Sequence, residues 1–448
     1  MTTGIAETIP AGWKALVDRH RELLATGPAF LRELRRAAWT RFEERGLPGR
    51  REEDWREIDL RPLAALSPVP AAPRASRVSP DILDHPAVAR PAPPRFVLAG
   101  GRLREDLSAA HPLPAGLQVL TIEEAARAWP DLLATHLGRY APAENPFVAL
   151  NTALAEEGLV VRVAAGTDVD VPLHLVHVAP AGDRDVACHP RVLVLVETGA
   201  RVALVESFLA REEAGGLVNG VTELLVGPGA RVTHARVQHE APGIHHVAHV
   251  AARVEAGGSL RSLSLALGGP LVRVGIDVRL AGEEAETSLD GLYLAGSGQV
   301  VDHRTAILHD VPRCASHQLY KGLLAGDGRA VFRGRIVVAP GAQQTDAHQQ
   351  NRNLLLSRQA LVRTRPQLEI YADDVRATHG ATVGQLDDEM LFYFRSRGIG
   401  LAEARHLLLA AFTGEILERV PGAPLAGLLR DLVRDRLARE LPAGEDAR

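Results

Sequence analysis

Lysine is nearly absent from this chain. Of its 51 basic residues only Lys14 and Lys321 are lysine, the rest being arginine. A P-loop requires lysine followed by Ser or Thr at the end of a glycine-rich run, and neither lysine fits. No Rossmann-type glycine fingerprint opens a helix either. If nucleotide energy is used here, another polypeptide supplies it. Cysteine is equally sparse: Cys188 and Cys314 form no CxxC pair and no disulfide framework, which points to a reducing, cytoplasmic setting. No basic n-region with an apolar run marks a secretory signal, and no run of about 18 apolar residues marks a membrane span. Aromatic residues are only 4% of the chain, so the core of this 46% hydrophobic sequence must be built from Leu, Val and Ala. The net charge of −4, from 51 basic and 55 acidic residues, leaves no electrostatic footprint for nucleic acid or a membrane surface.

What is present divides into three regions. Residues 1–157 read as a helical and mixed region, with helical spacing of Leu31, Leu34, Ala38, Trp39 and Phe42 before the stop "RGLPGR". From 158 to 384, short Val/Leu-rich alternating runs recur with small turns such as "ETGARV", "GPGARV" and "EAGGSL". So many strands in one flat sheet would expose edges, so a sandwich, a barrel or a solenoid is required. Periodicity alone does not separate a solenoid from a large sandwich. The similarity of the turns favours the solenoid. Charged residues within the runs, Glu206, Arg236 and Arg253, are expected on an outward face. Residues 385–448 read as helices, the last with Leu425, Leu428, Leu429, Leu432 and Leu437 on one stripe. These helices would pack on the end of the β region or dock a partner.

Several clusters carry chemistry. In "YADDVRATHGAT" strand alternation places Asp373, Val375, Ala377 and His379 on one face, and Asp374 with Arg376 on the other as an ion pair. A histidine and a carboxylate on one face make a metal site, an acid/base pair or a structural hydrogen bond. The stretch holding His234, His239, His245, His246 and His249 reads as solvated or capped strand histidines split between faces. Cys314, near His317 and Lys321, is either a reactive thiolate or a buried cysteine. Gln343, Gln344, Gln349, Gln350, Asn351 and Asn353 suit amide ladders inside stacked strands.

The motifs "QLYKG", "RAVFRGRIVV", "AQQTDAHQQNRNLLLS", "PQLEIYADDVRATHGATVGQLDDE" and "REEDWREIDLRPL" resemble the SufB/SufD family, scaffold subunits of the SUF iron–sulfur assembly machinery, and more its SufD side. The resemblance runs from about residue 40 to 420. It implies a mainly β fold, a right-handed parallel β-helix core with helical N- and C-terminal regions. It also implies no ATP site of its own, a SufB-like partner bound through the β-helix core, and a SufC-like ATPase bound through the C-terminal helices. A homodimer is expected when the chain is alone. A transient iron–sulfur cluster or iron would be shared with the SufB-like subunit. His379 is then a candidate ligand, Asp373 a supporting group and Cys314 a further candidate. The family often has cysteine where Ala377 stands, so sulfur ligation would come from the partner. The rival readings are a purely structural subunit and a β-helix enzyme acting on polysaccharide.

Overall fold

A computed structural model describes residues 9–71, 78–88, 94–109, 112–182, 185–419 and 423–440, with the side chains of 423–425, Leu425 among them, outside the described set. The helices are α1 (Lys14–Leu24), α2 (Ala29–Arg45), α3 (Arg61–Ala64), α4 (Ile122–Ala128), α5 (Pro130–His136), α6 (Pro146–Leu154), α7 (Asp388–Ser396), α8 (Leu401–Leu417) and α9 (Ala423–Glu440). The first strands are β1 (Val69–Pro70), β2 (Arg95–Ala99), β3 (Arg102–Leu103), β4 (Leu117–Thr121), β5 (Leu159–Val163), β6 (Leu173–Ala179), β7 (Val186–Cys188) and β8 (Arg191–Val196). Seven more follow: β9 (Arg201–Ala210), β10 (Gly215–Val226), β11 (Arg231–His239), β12 (Gly243–Val254), β13 (Ser259–Ala266), β14 (Leu271–Leu280) and β15 (Glu286–Ala295). The last are β16 (Val300–His309), β17 (Ala315–Leu324), β18 (Arg329–Val338), β19 (Thr345–Leu355), β20 (Leu361–Ile370) and β21 (Val375–Gly384).

From β8 onward consecutive strands alternate between two sheets. One sheet, A, runs β20-β18-β16-β14-β12-β10-β8-β5-β4, and the other, B, runs β21-β19-β17-β15-β13-β11-β9-β6-β2-β3. From β5 and β6 onward neighbours are parallel and in direct register, for example Asp346 between Ala315 and Arg376. This is a right-handed parallel β-solenoid flanked by helical regions. The strands are longer than the sequence suggests, 10 residues in most of the later rungs. A rung with two flat sides and two turns needs long sides, whereas hydrophobic alternation marks only their apolar centres. The sheets also begin before residue 158, because β2 pairs with β6 and β4 with β5.

The space between the sheets is lined by Leu, Val and Ala, as the scarcity of aromatics requires. Both outer faces are covered as well. Trp13, Trp39, Phe42, Trp55 and Phe147 of the N-terminal region pack on sheet A at Leu217, Val247 and Leu271. Helices α8 and α9 lie along sheet B rather than at its end. Leu409, Ile416, Leu429, Leu432, Val433 and Leu437 pack there with Leu263, Leu265, Leu292, Leu319 and Leu323. At about 2 kcal/mol per buried aliphatic side chain, this docking contributes on the order of 10 kcal/mol before ordering entropy.

Covering both sheet faces moves the charges. Arg253 points outward and is partly exposed as expected. Glu206 and Arg236 do not: both are buried inside the solenoid, at 0% and 1% exposure. Glu206 accepts from His177 at 3.1 Å, His234 at 2.9 Å and Thr222 at 2.9 Å. Arg236 lies over the Phe208 ring at 4.4 Å and contacts His246, which faces Glu240 at 2.7 Å. His234 and His246 are therefore interior, not solvated, while His249 faces outward and pairs with Asp277 at 3.1 Å. Burial of a charge costs heavily unless it is paired: Glu206 is paired with His177 and His234, while Arg236 rests on the Phe208 ring and His246 with its buried Nη1 lacking a hydrogen-bond partner.

Candidate metal-ligand and docking end

The two ends of the solenoid differ. At the start, β3 and β4 add antiparallel strands to β2 and β5, and Thr121 caps α4 through a reciprocal bond pair with Glu124. At the other end, β20 pairs only with β18, and β21 only with β19. Both last strands show an unpaired backbone edge, which invites pairing with another chain. Leu361, Ile370, Tyr371 and Val383 are exposed there by 42%, 39%, 61% and 49%.

His379 sits in the middle of β21. Its register neighbour is Gln349, and Gln349's is Gln318. Val375 and Ala377 pack against the interior cluster, so alternation turns His379 to the interior side as well. Because no further rung covers it, the imidazole is exposed. Directly beneath, the buried amide oxygen and nitrogen of Gln349 both lack a hydrogen-bond partner. Asn351 and Asn353 continue the interior polar row, bonded to each other at 2.7 Å and to the Tyr293 hydroxyl at 3.1 and 2.6 Å. Gln349, Asn351 and Asn353 thus lie in the solenoid interior, whereas Gln344 and Gln350 are exposed and Gln343 is half-buried in a turn, because strand alternation and the turn before β19 send them outward.

The other candidates fall elsewhere. Asp373 precedes the strand, in the turn between β20 and β21, so it does not share the strand face of His379. Four positions from Val375 to His379 alone span about 13 Å. No ion pair joins Asp374 to Arg376; instead Gln343 accepts from the Asp374 N–H at 2.8 Å. Cys314 precedes β17, two strands and four register positions away, or about 16 Å. Its thiol is buried, donates to the Gly282 carbonyl at 3.4 Å, and is pushed up in pKa by that burial. His317 faces outward and is exposed, and Lys321 is engaged by α8, so neither activates the thiol. Among the described residues no three His, Cys, Asp or Glu side chains are grouped to hold a metal ion. His379 is thus a lone, exposed imidazole on an open edge.

Beside this end, Asp387 caps α7 by accepting from the N–H groups of Glu389 and Met390 at 2.9 and 3.4 Å. The helix then exposes Met390, Phe392 and Tyr393 by 43%, 74% and 52%. Helix α8, which follows, is bound to sheet B through Lys321, whose Nζ donates to the Phe412 carbonyl at 2.7 Å and pairs with Glu415. Sequence reasoning missed this role for Lys321, although its rarity singled it out. No helix among the described residues is long and apolar enough to cross a membrane.

Comparison with known proteins agrees with this architecture. The model of the SUF system FeS cluster assembly SufBD core domain matches residues 178–412, and that of the SufBD protein N-terminal region matches 90–175. An iron-sulfur cluster assembly SufBD family protein of Synechocystis sp. is 34% identical over 400 residues, 87% of each chain. The iron-sulfur cluster assembly protein SufD of Escherichia coli is 32% identical over 401 residues, 89% of this chain and 90% of its own. The chloroplastic protein ABCI7 of Arabidopsis thaliana is 35% identical over 298 residues, covering 65% and 63%. An open-ended parallel solenoid, matched by the core-domain model over more than half its length and by full-length relatives, places this chain in the SufBD family of iron–sulfur cluster assembly proteins.

Proposed function

We propose that this chain is a non-ATPase scaffold subunit that pairs with a SufB-like subunit through the open end of its solenoid. The observation that carries the reading is the uncapped last rung, with two unpaired strand edges, exposed apolar side chains and an interior-facing His379. A partner strand added to either edge satisfies the backbone and covers the apolar rim. Iron or a nascent cluster is the cargo here. His379 supplies one neutral nitrogen to it, and imidazole is a suitable iron ligand. The partner supplies the rest, including sulfur, because Cys314 is buried and distant and Ala377 has no thiol. The exposed aromatic face of α7 together with α8 takes a SufC-like ATPase, which provides the nucleotide chemistry this chain has no motif for. Without its partner, the same edge pairs two copies of this chain. Membership of the SufBD family removes the polysaccharide-enzyme reading.

One rival reading has its own support: the lack of any grouped ligand set among the described residues favours a purely structural subunit, with all cluster chemistry on the partner. Co-expression of the three subunits with His379→Ala in this chain separates the two. The scaffold-ligand reading expects an intact complex with reduced iron and sulfide content. Unchanged loading of an intact complex would falsify the ligand role and leave the structural one.

A further inference from the structure

The segment between α2 and α3 reaches across the molecule to the last rungs of sheet A. It is fastened by Trp55, which is buried, tilted against Phe147 at 5.2 Å between ring centroids, and overlain by the Arg273 guanidinium at 3.5 Å. Arg273 also donates to the main-chain carbonyl of Asp54 at 3.0 Å and pairs with buried Asp302. This fixed aromatic aims the neighbouring carboxylates along the outer face of the sheet.

There the sheet carries a ladder of arginines. Arg304, Arg333 and Arg365 are direct register neighbours on β16, β18 and β20. Adjacent strands are about 4.8 Å apart, so the three cations repel one another. The N-terminal segment neutralises them. Asp54 accepts from Arg304 at 2.9 Å and lies 3.6 Å from Arg333. Glu53 lies 3.7 Å from Arg333 and accepts from Arg365 at 2.9 Å. Glu57 pairs with Arg363, also on β20. A single exposed ion pair contributes little, but these share one rigid anchor and one row of like charges.

The two edge strands of the last rung are therefore held differently. β20 is tied from outside the solenoid by residues about three hundred positions earlier. Among the described residues, the side-chain bonds of β21 run only to β19, from His348 to Thr378 at 2.6 Å and from Asn353 to the Thr382 carbonyl at 3.4 Å. We propose that residues 53–57 act as a clip that locks the sheet A edge in register for docking, and leaves the His379-bearing edge free to re-form against the partner. The docking half of this rests on the proposed function; the clip does not.

Hydrogen exchange read by mass spectrometry on the full chain tests the clip. In Glu53→Gln/Glu57→Gln, the amides of 361–370 that face β18 exchange at least about tenfold faster, while those of 375–384 that face β19 keep their rate. The swapped pair Glu53→Arg/Arg365→Glu restores slow exchange in β20. Unchanged β20 exchange in the double variant overturns the clip, as does an equal rise in both strands. Binding to a SufB-like subunit is measured in parallel, with about tenfold weaker affinity expected for the double variant. Equal affinity alongside faster β20 exchange overturns the docking role alone. A wild-type chain that binds no such subunit refutes the proposed function, while the exchange result still decides the clip.

Discussion

Lys321 Nζ donates to the main-chain carbonyl of Phe412 at 2.7 Å, with the ammonium 4.5 Å from the centre of the Phe412 ring. One buried side chain of β17 thus satisfies a carbonyl, an aromatic face and the Glu415 carboxylate of α8. Burial pulls the Lys321 pKa down, and Glu415 opposes that shift. Lys321→Met keeps the aliphatic stem but strips α8 of its polar anchor. We expect a loss of about 1–3 kcal/mol, the cost of leaving buried polar groups unpaired. Exchange should quicken in α8 and α7 before it does in the solenoid. Equal protection of α8 in variant and wild type would show that apolar packing alone holds the helix.

Acid should destabilise this protein well before its carboxylates titrate. Burial holds His174, His189 and His303 down to about 3 and His309 down to about 4. In an unfolded chain they titrate near 6.5. Between those values the unfolded chain binds more protons, so stability rises with pH. It is full above about 6.5 and drains as pH falls toward 4. Urea midpoints at several pH values check this, and His303→Gln should make the decline shallower. A flat profile from pH 7 to 5 would refute it.

One corner of the coil carries a row of left-handed residues. Gly199, Gly229 and Gly257 have φ of 69°, 64° and 65°, and Glu284, Arg313 and Gln344 repeat it at 61°, 59° and 59°. Turn-to-turn bonds link the row, such as Gly229 N–H to the Ala256 carbonyl at 2.8 Å. A side chain there costs about 1 kcal/mol. Gln344→Gly should therefore stabilise by up to about 1 kcal/mol in chemical denaturation. Gly229→Ala should cost about as much, although nothing lies within 4 Å of the added methyl. Opposite signs would mean the turn relaxes.

A long β region with helical flanks was legible because turns and Val/Leu alternation repeat through the middle of the chain, whereas the solenoid rather than a sandwich followed from the family motifs. The strand face of His379 was legible for the same reason. The inside of the coil was not. Alternation separates two faces but does not say which is interior when helices cover the other, so Glu206 and Arg236 looked like surface charges. Asp373 was misplaced because alternation was extended through a turn. The bonds of Lys321 to α8 and of Glu53 to Arg365 join residues far apart in the chain, and no local pattern encodes them.

The open end as a docking edge is tested most directly by hydrogen exchange on this chain with and without a SufB-like subunit. The outer amides of β20 and β21 should exchange readily in the free chain and become protected on mixing, along with the rim around Tyr371 and Val383. Protection confined to the N-terminal end or to the outer helices, with 361–384 unchanged, would contradict the account.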